Sequence, residues 1–120
     1  MKKDTDNTIA VKSKAFAIRC IRLYQYLTEN KKEFVMCKQL LRSGTSIGAN
    51  VKEALRGQSK ADFGAKMNIA LKEAYESEYW LELLVETDYI TQESFNSMTD
   101  DCKEIIRLLT AIVKSTFQCS

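Results

Sequence analysis

Apolar side chains recur along the chain at intervals of three and four residues, which is the spacing of one face of an α-helix. Four such stretches are separated by short polar segments, and they predict helices at about residues 8–29, 33–56, 60–87 and 92–116. Strand-like alternation is scarce, and only four glycines and no proline interrupt the pattern. Because the links are short, consecutive helices are expected to be antiparallel neighbours. The sequence therefore predicts one all-α domain over residues 1–120, an antiparallel up-down-up-down four-helix bundle.

Several residues have the character of helix ends. Asn7 or Thr8 is expected to cap the first helix, because Asn and Thr side chains accept hydrogen bonds from free backbone N–H groups. Ser59 and Thr91 are expected to do the same for the third and fourth helices. Gly57 suits the left-handed position just past the end of the second helix.

The second predicted helix contains a run of small residues over 43–49, with two glycines four residues apart. A glycine inside a helix costs about 1 kcal/mol relative to alanine. Gly44 and Gly48 fall on the apolar stripe, where the missing side chain would let another helix approach closely. A ligand contact, or a kink or break in the helix, are the alternative interpretations.

The chain lacks the residue types that many catalytic and metal sites require. It contains no histidine, which excludes Ser-His-Asp and Cys-His nucleophilic sites and histidine-containing zinc sites. No phosphate-binding glycine-rich loop is present. The four cysteines form no Cys-x-x-Cys pair and are interpreted as reduced thiols; they are Cys20, Cys37, Cys102 and Cys119. We therefore expect no enzymatic activity, no cofactor and no metal.

The longest apolar run, residues 34–37, is four residues long, whereas a membrane-spanning helix needs about 20. The charged start of the chain is not followed by the apolar stretch of a secretory signal. We expect a cytoplasmic protein with no membrane partner.

Charge is distributed unevenly along the chain. Residues 1–59 contain 12 Lys or Arg and 5 Asp or Glu, a net charge of +7, whereas residues 60–120 contain 6 and 11, a net charge of −5. The two halves are expected to attract each other within one fold or between copies, or to leave a basic surface for a polyanion. The basic residues of the first two helices form either an ordinary solvated face or a surface for phosphates. The residues proposed for nucleic-acid phosphates are Lys12, Lys14, Arg19, Arg22, Lys31, Lys32, Lys38, Arg42, Lys52 and Arg56.

The third predicted helix is apolar on more than one side, and Tyr79 and Trp80 lie off its main stripe. In one interpretation Trp80 packs over the end of the bundle with tyrosine hydroxyls at the rim. In the other these aromatic rings form a subunit interface. Val11 and Ile18 also lie off the stripe of the first helix, which favours oligomerisation through lateral faces.

The segment from residue 41 to 54, LRSGTSIGANVKEA, resembles the R-R-x-x-x-S-I-x-x-N-I-x-E signature of the bacterial four-helix-bundle proteins encoded in 23S rRNA intervening sequences. The resemblance continues over residues 62–84. The chain departs at Lys52 and Ala54, where the common branch has alanine and glycine.

This resemblance implies an antiparallel four-helix bundle that assembles as a homopentameric ring. A relative, the accessory protein of diversity-generating retroelements, binds a reverse transcriptase and nucleic acid through a basic surface. The polar residues carried over by position are Arg42, Ser46, Asn50, Glu53 and Glu76. We expect Asn50 and Glu53 to satisfy polar groups between helices, and their spacing would let them share a partner.

The predicted function is that of a non-enzymatic, ring-like oligomer that binds RNA or DNA without sequence preference, as an accessory to a nucleic-acid enzyme. The alternative is a protein-interaction scaffold without a nucleic-acid role, whose partner would be another protein. The residues predicted to be structural or at an interface are Gly44, Ser46, Gly48, Asn50, Glu53, Glu76, Tyr79 and Trp80.

Overall fold

The computed structural model describes residues 4–118, which form four helices. They are α1 (Asp4–Asn30), α2 (Met36–Ala54), α3 (Lys60–Glu86) and α4 (Gln92–Gln118). Helix α1 packs against α2 and α4, and α3 packs against the same two helices, so the four form a square of neighbours. The bundle is 49 Å long and 20 Å across in both other directions. The predicted all-α antiparallel four-helix bundle is confirmed.

The core is built from one apolar face of every helix. Burying a large apolar side chain contributes about 1.5–3 kcal/mol, so this shared core is the main source of stability. The largest fully buried side chains include Phe16, Leu27, Ile47, Met67, Leu81, Ile105 and Leu109. Smaller buried residues such as Cys20, Ala70 and Ala74 also belong to the core and let the helices lie close together.

Helix α1 begins at Asp4, four residues before the predicted start. Thr8 is therefore inside the helix, and its hydroxyl donates to the Asp4 carbonyl oxygen over 3.0 Å instead of capping. The physical reason is that Asp4 and Asp6 place negative charge in the first turn, where it interacts favourably with the helix dipole. Helix α4 likewise runs to Gln118, two residues past its predicted end.

Helix α2 begins at Met36, three residues after the predicted start. Glu33 precedes the helix and caps it with its carboxylate. The carboxylate accepts from the backbone N–H groups of Val35 (3.0 Å), Met36 (2.8 Å) and Cys37 (2.8 Å). Lys32 turns the chain into this cap with a left-handed φ of 55°. A charged side chain thus satisfies donors that have no partner within the helix.

The end of α2 corrects the prediction for Gly57. No described glycine has positive φ, so Gly57 is not in the left-handed region. The helix instead tightens into a short turn in which the Gly57 N–H donates to the Ala54 carbonyl oxygen over 2.9 Å. A β-carbon on Gly57 would lie only 2.8 Å from Asp62 Oδ2 and 3.0 Å from Ala54 O. A β-carbon at this position would therefore require the Asp62 side chain and the turn to shift slightly.

The predicted caps of α3 and α4 are confirmed. The Ser59 hydroxyl accepts from the Asp62 N–H over 3.0 Å. The Thr91 hydroxyl accepts from the Ser94 N–H over 3.1 Å. Each cap satisfies one of the backbone donors that a helix start leaves free.

The glycines inside α2 mark a close contact with α1. A β-carbon on Gly44 would lie 3.1 Å from Cys20 Cβ and closer still to Cys20 Sγ. A β-carbon on Gly48 would lie 3.5–3.6 Å from Ser13, an ordinary van der Waals distance. Helix α2 continues unbroken through both positions. The structure therefore favours close helix packing at Gly44 over a break in the helix.

Candidate nucleic-acid interface

The basic and acidic halves of the chain meet within the bundle. Lys12 Nζ on α1 lies 3.1 Å from Glu104 Oε1 on α4. About two helical turns further along α1, Arg19 Nη1 lies 2.6 Å from Asp101 Oδ2, and the same guanidinium donates to Ser97. Part of the charge asymmetry of the sequence is therefore neutralised by ion pairs between α1 and α4.

A second group of ion pairs joins α2 to α3. Arg42 lies between Glu73, whose Oε2 is 3.2 Å from Arg42 Nη1, and Glu76, which binds Arg42 Nη2. Glu76 Oε2 also accepts from the indole N–H of Trp80 over 2.9 Å. The hydrogen bond from Arg42, followed by that from Trp80, lowers the pKa of Glu76, and the hydrogen bond to Glu76 raises the pKa of Arg42.

These ion pairs divide the ten predicted phosphate-binding residues. Lys12, Arg19 and Arg42 have carboxylate partners, so an incoming phosphate would have to compete with them. Within residues 4–118 no carboxylate pairs with the remaining seven, and all seven are exposed. They are Lys14, Arg22, Lys31, Lys32, Lys38, Lys52 and Arg56.

Three of these cations lie around one groove between α1 and α2. Lys14 lies on α1 and Lys52 lies in the last turn of α2. Arg56 follows two residues after the end of α2. The groove has a volume of about 550 Å³, and its other lining residues include Ala10, Ala17, Gly48 and Ala49. None of its lining residues is acidic. We call this feature the basic groove.

Lys38 extends the same basic face along α2. At 100° per residue, Lys38 and Lys52 lie within about 40° of one line along the helix and roughly 21 Å apart. Arg56 follows in the turn just past the end of α2. Arg22 and Lys31 instead line a separate cavity beside the second half of α1.

The polar residues of the motif take different partners. The Asn50 side-chain amide donates to the Ser46 carbonyl oxygen on its own helix over 2.9 Å. Glu53 Oε1 accepts from Lys66 Nζ on α3 over 3.0 Å. Glu53 therefore joins two helices as expected, whereas Asn50 bonds within α2, and the two residues do not share a partner.

The aromatic residues of α3 lie between the core and the surface. Trp80 is half-buried and packs against the core, with its indole held by Glu76. The Tyr79 ring meets the Trp80 ring edge-on, with centroids 5.4 Å apart, and Tyr79 is 52% exposed. Ile69 and Tyr75 are exposed on the same helix, 43% and 53% respectively. An apolar surface along α3 is thus open in the single chain.

The described cysteines are free and buried. Burial raises the pKa of Cys20 and of Cys102 to about 12 and that of Cys37 to about 11. These thiols are therefore protonated at neutral pH, and the thiolate that acts as nucleophile is not populated. Cys119 lies outside the described residues. Within residues 4–118 no group of three His, Cys, Asp or Glu side chains is arranged to hold a metal ion.

Sequence reasoning did not find two polar contacts at buried positions. The Ser43 and Ser77 hydroxyls meet between α2 and α3, and the Glu33 carboxylate caps α2. Ser77 had one signal in the sequence, since it interrupts an otherwise apolar stripe. Its partner is 34 residues away, and a single sequence does not pair residues at that distance.

The fold defines the chain as an all-α protein of the antiparallel four-helix-bundle class. A family model for the 23S rRNA-intervening sequence protein matches residues 5–111. The chain therefore belongs to the 23S rRNA-intervening sequence protein family, which confirms the resemblance noted for residues 41–54.

A solved structure of high similarity supports the same assignment. It is the crystal structure of a protein of unknown function from the S23 ribosomal protein family of Bacteroides thetaiotaomicron. The two sequences are 57% identical, the match covers 92% of this chain and 98% of the other, and the TM-score is 0.90. No curated protein matches this chain. None of the helices in residues 4–118 has both the length and the apolar character needed to cross a membrane.

Proposed function

We propose that this protein is a non-enzymatic, cytoplasmic oligomer that binds RNA or DNA through phosphates and serves as an accessory to a nucleic-acid enzyme. The observation that carries the proposal is the basic groove, in which Lys14, Lys52 and Arg56 lie exposed without a carboxylate among the lining residues. Lysine and arginine contacts to phosphates supply non-specific nucleic-acid binding. Such contacts position the backbone and carry no sequence information.

The small side chains of the groove favour this function. Gly48 has no side chain and Ala49 has only a methyl group, so little of the groove between Lys14 and Lys52 is filled. A phosphodiester backbone is therefore able to approach the helix surface while the longer cationic side chains reach its oxygens from both sides. Lys38 would extend these contacts along α2.

The proposed oligomer is a homopentameric ring, as the family resemblance implies. The exposed Ile69, Tyr75 and Tyr79 on α3, and Val11 and Ile18 on α1, support lateral contacts between copies. A ring would repeat the basic groove around its axis and multiply the phosphate contacts. Native mass spectrometry tests the stoichiometry, and a monomer at micromolar concentration would contradict this part of the proposal.

The test of the basic groove compares two triple variants with the same change of charge. Lys14→Gln/Lys52→Gln/Arg56→Gln neutralises the groove, and Lys72→Gln/Lys103→Gln/Lys114→Gln neutralises exposed lysines of α3 and α4. Affinity for labelled duplex DNA and structured RNA is measured by fluorescence anisotropy at low salt. We expect the groove variant to bind about tenfold or more weakly for every sequence, with the control variant close to wild type. An equal loss in both variants would contradict the assignment.

A second function is favoured by the aromatic surface of α3. If Tyr75 and Tyr79 stay accessible in the assembled protein and no nucleic acid binds at low salt, the protein is a scaffold for another protein. Protection of these tyrosines from iodination or oxidative labelling in the oligomer would instead place them at the subunit contact.

A further inference from the structure

A cavity separate from the basic groove lies between the second half of α1 and the turn that joins α3 to α4. Its volume is about 830 Å³, within the range of roughly 300–1,000 Å³ found for ligand pockets. Two aromatic side chains, Tyr26 and Tyr89, line it together with two cationic ones, Arg22 and Lys31. The two tyrosines are 63 residues apart in the sequence, and the fold brings them to one place.

The backbone at Tyr89 is fixed by the end of α3. Asp88 adopts a left-handed φ of 67°, the Tyr89 N–H donates to the Leu84 carbonyl oxygen over 2.9 Å, and the Asp88 N–H donates to the Val85 carbonyl oxygen over 3.1 Å. This is a Schellman motif, which fixes the chain just past the helix. Tyr89 is half-buried and packs on the core, so it forms a wall of the cavity. Tyr26 is 43% exposed and offers an open ring.

The charged groups of the cavity favour a phosphate near the aromatic rings. Arg22 donates to Gln25 over 3.2 Å and has no carboxylate partner among the described residues, and none pairs with Lys31 there. Arg19 also lines the cavity but is held by Asp101. Asp88 is the one carboxylate among the lining residues. Arg22 and Lys31 therefore leave the cavity with a positive excess over Asp88.

We propose that this cavity binds one unpaired base of single-stranded RNA or DNA. The base stacks on Tyr26 against the wall formed by Tyr89, and Arg22 and Lys31 contact the phosphates on either side of it. An aromatic ring beside a cationic groove is the usual platform for single strands, since every base has a face that stacks. A duplex does not supply such a base, because its bases are already paired and stacked. The proposal rests on the proposed nucleic-acid binding and adds a preference for single strands.

The test uses a labelled single-stranded oligonucleotide and the duplex of the same sequence and length, at one low salt concentration. Tyr26→Ala removes the stacking ring, Tyr26→Phe keeps it, and Phe34→Ala removes an exposed aromatic ring that does not line the cavity. We expect Tyr26→Ala to weaken single-strand binding about tenfold and to leave duplex binding unchanged. Tyr26→Phe and Phe34→Ala are expected to bind both probes like wild type.

The outcomes separate this proposal from the previous one. If Tyr26→Ala binds the single strand like wild type, or loses affinity for both probes equally, the cavity proposal is overturned and the basic groove stands. If wild type binds neither probe, both proposals fail. If Tyr26→Ala does not fold, as judged by circular dichroism, Arg22→Gln/Lys31→Gln replaces it. That variant must then weaken single-strand binding more than duplex binding, and an equal loss overturns the proposal.

Discussion

The hydroxyl oxygens of Ser43 and Ser77 lie 2.8 Å apart at the buried contact between α2 and α3. Either hydroxyl can donate in this pair, since the Glu73 carbonyl oxygen lies 2.9 Å from Ser77 Oγ and the Leu40 carbonyl oxygen lies 3.4 Å from Ser43 Oγ. The pair explains two irregularities of the sequence. Ser77 interrupts the apolar stripe of α3, and Ser43 is a polar residue that is fully buried on α2. Each serine provides a partner for the other in the core.

Removing either serine is expected to destabilise the bundle. Ser43→Ala or Ser77→Ala should each lower the free energy of unfolding by about 1 kcal/mol, because each removes a buried hydrogen bond. The double variant should cost less than the sum of the two, since both remove the same bond. Urea denaturation of the four proteins measures this coupling. Strict additivity would show that the two hydroxyls do not interact.

The cap formed by Glu33 is expected to make stability depend on pH. Burial alone would raise the pKa of Glu33, but hydrogen bonds from the backbone of Cys37, Met36 and Val35 outweigh it and hold the pKa below its usual value. The folded state therefore favours the ionised carboxylate. Its contribution is fully present above the unfolded pKa of about 4.3 and is lost as the pH falls through the lower, folded value.

Glu33→Ala tests this cap. At pH 7 the variant should be less stable by about 1–2 kcal/mol, because three backbone donors lose their acceptor. The difference from wild type should shrink as the pH falls below about 4. Glu29→Gln, an exposed glutamate of the preceding helix, is the control and should change little at either pH. A constant difference between pH 7 and pH 3 would disprove the charge-based cap.

The two glycines inside α2 are expected to respond oppositely to alanine. Gly44→Ala should be destabilising, since its β-carbon would press against Cys20, whereas Gly48→Ala has ordinary contact distances to Ser13. Gly48→Ala should therefore be neutral or stabilising by up to about 1 kcal/mol, the usual gain in helix propensity. Thermal unfolding measures both. Adding Cys20→Ala to Gly44→Ala should recover part of the loss, and no recovery would place the clash elsewhere.

Buried thiols are expected to react slowly in the native protein. With Cys119→Ser as the background, Cys20, Cys37 and Cys102 should be nearly unreactive toward a thiol reagent at pH 8, because their pKa values of about 11 to 12 leave little thiolate. All three should react at once in denaturant. A thiol that reacts quickly in the native state would reveal an accessible cysteine that the structure does not contain.

Helical periodicity was sufficient to predict the bundle, because the residues of the core repeat with the helix itself. Gly44, which the spacing placed on the apolar stripe of the second helix, is buried. Gly57 was assigned the wrong role, since its nearness to Asp62 depends on how two helices meet and not on local sequence. Glu33 was predicted to start the second helix, but it precedes the helix, and its carboxylate accepts from backbone N–H groups two to four residues later.

The candidate site was less predictable than the fold. Arg42 has the charge and hydrogen-bond donors of a phosphate ligand. The fold nevertheless brings it to Glu73 and Glu76, which are more than 30 residues away in the sequence. The converse holds for Tyr26 and Tyr89, which have no relationship in the sequence and share a cavity in the structure. Pairings between helices decide which charges are neutralised and which surfaces remain available, and one sequence does not specify them.

The central claim, that the basic groove contacts phosphates, is tested most directly by the salt dependence of duplex DNA binding. For a duplex, the logarithm of the binding constant falls with the logarithm of salt concentration with a slope of about −0.9 per phosphate contact. If Lys14, Lys52 and Arg56 each neutralise one phosphate, the groove triple variant should have a slope about 2 to 3 units shallower than wild type. The control triple variant on α3 and α4 should keep the wild-type slope. An unchanged slope in the groove variant would contradict the account.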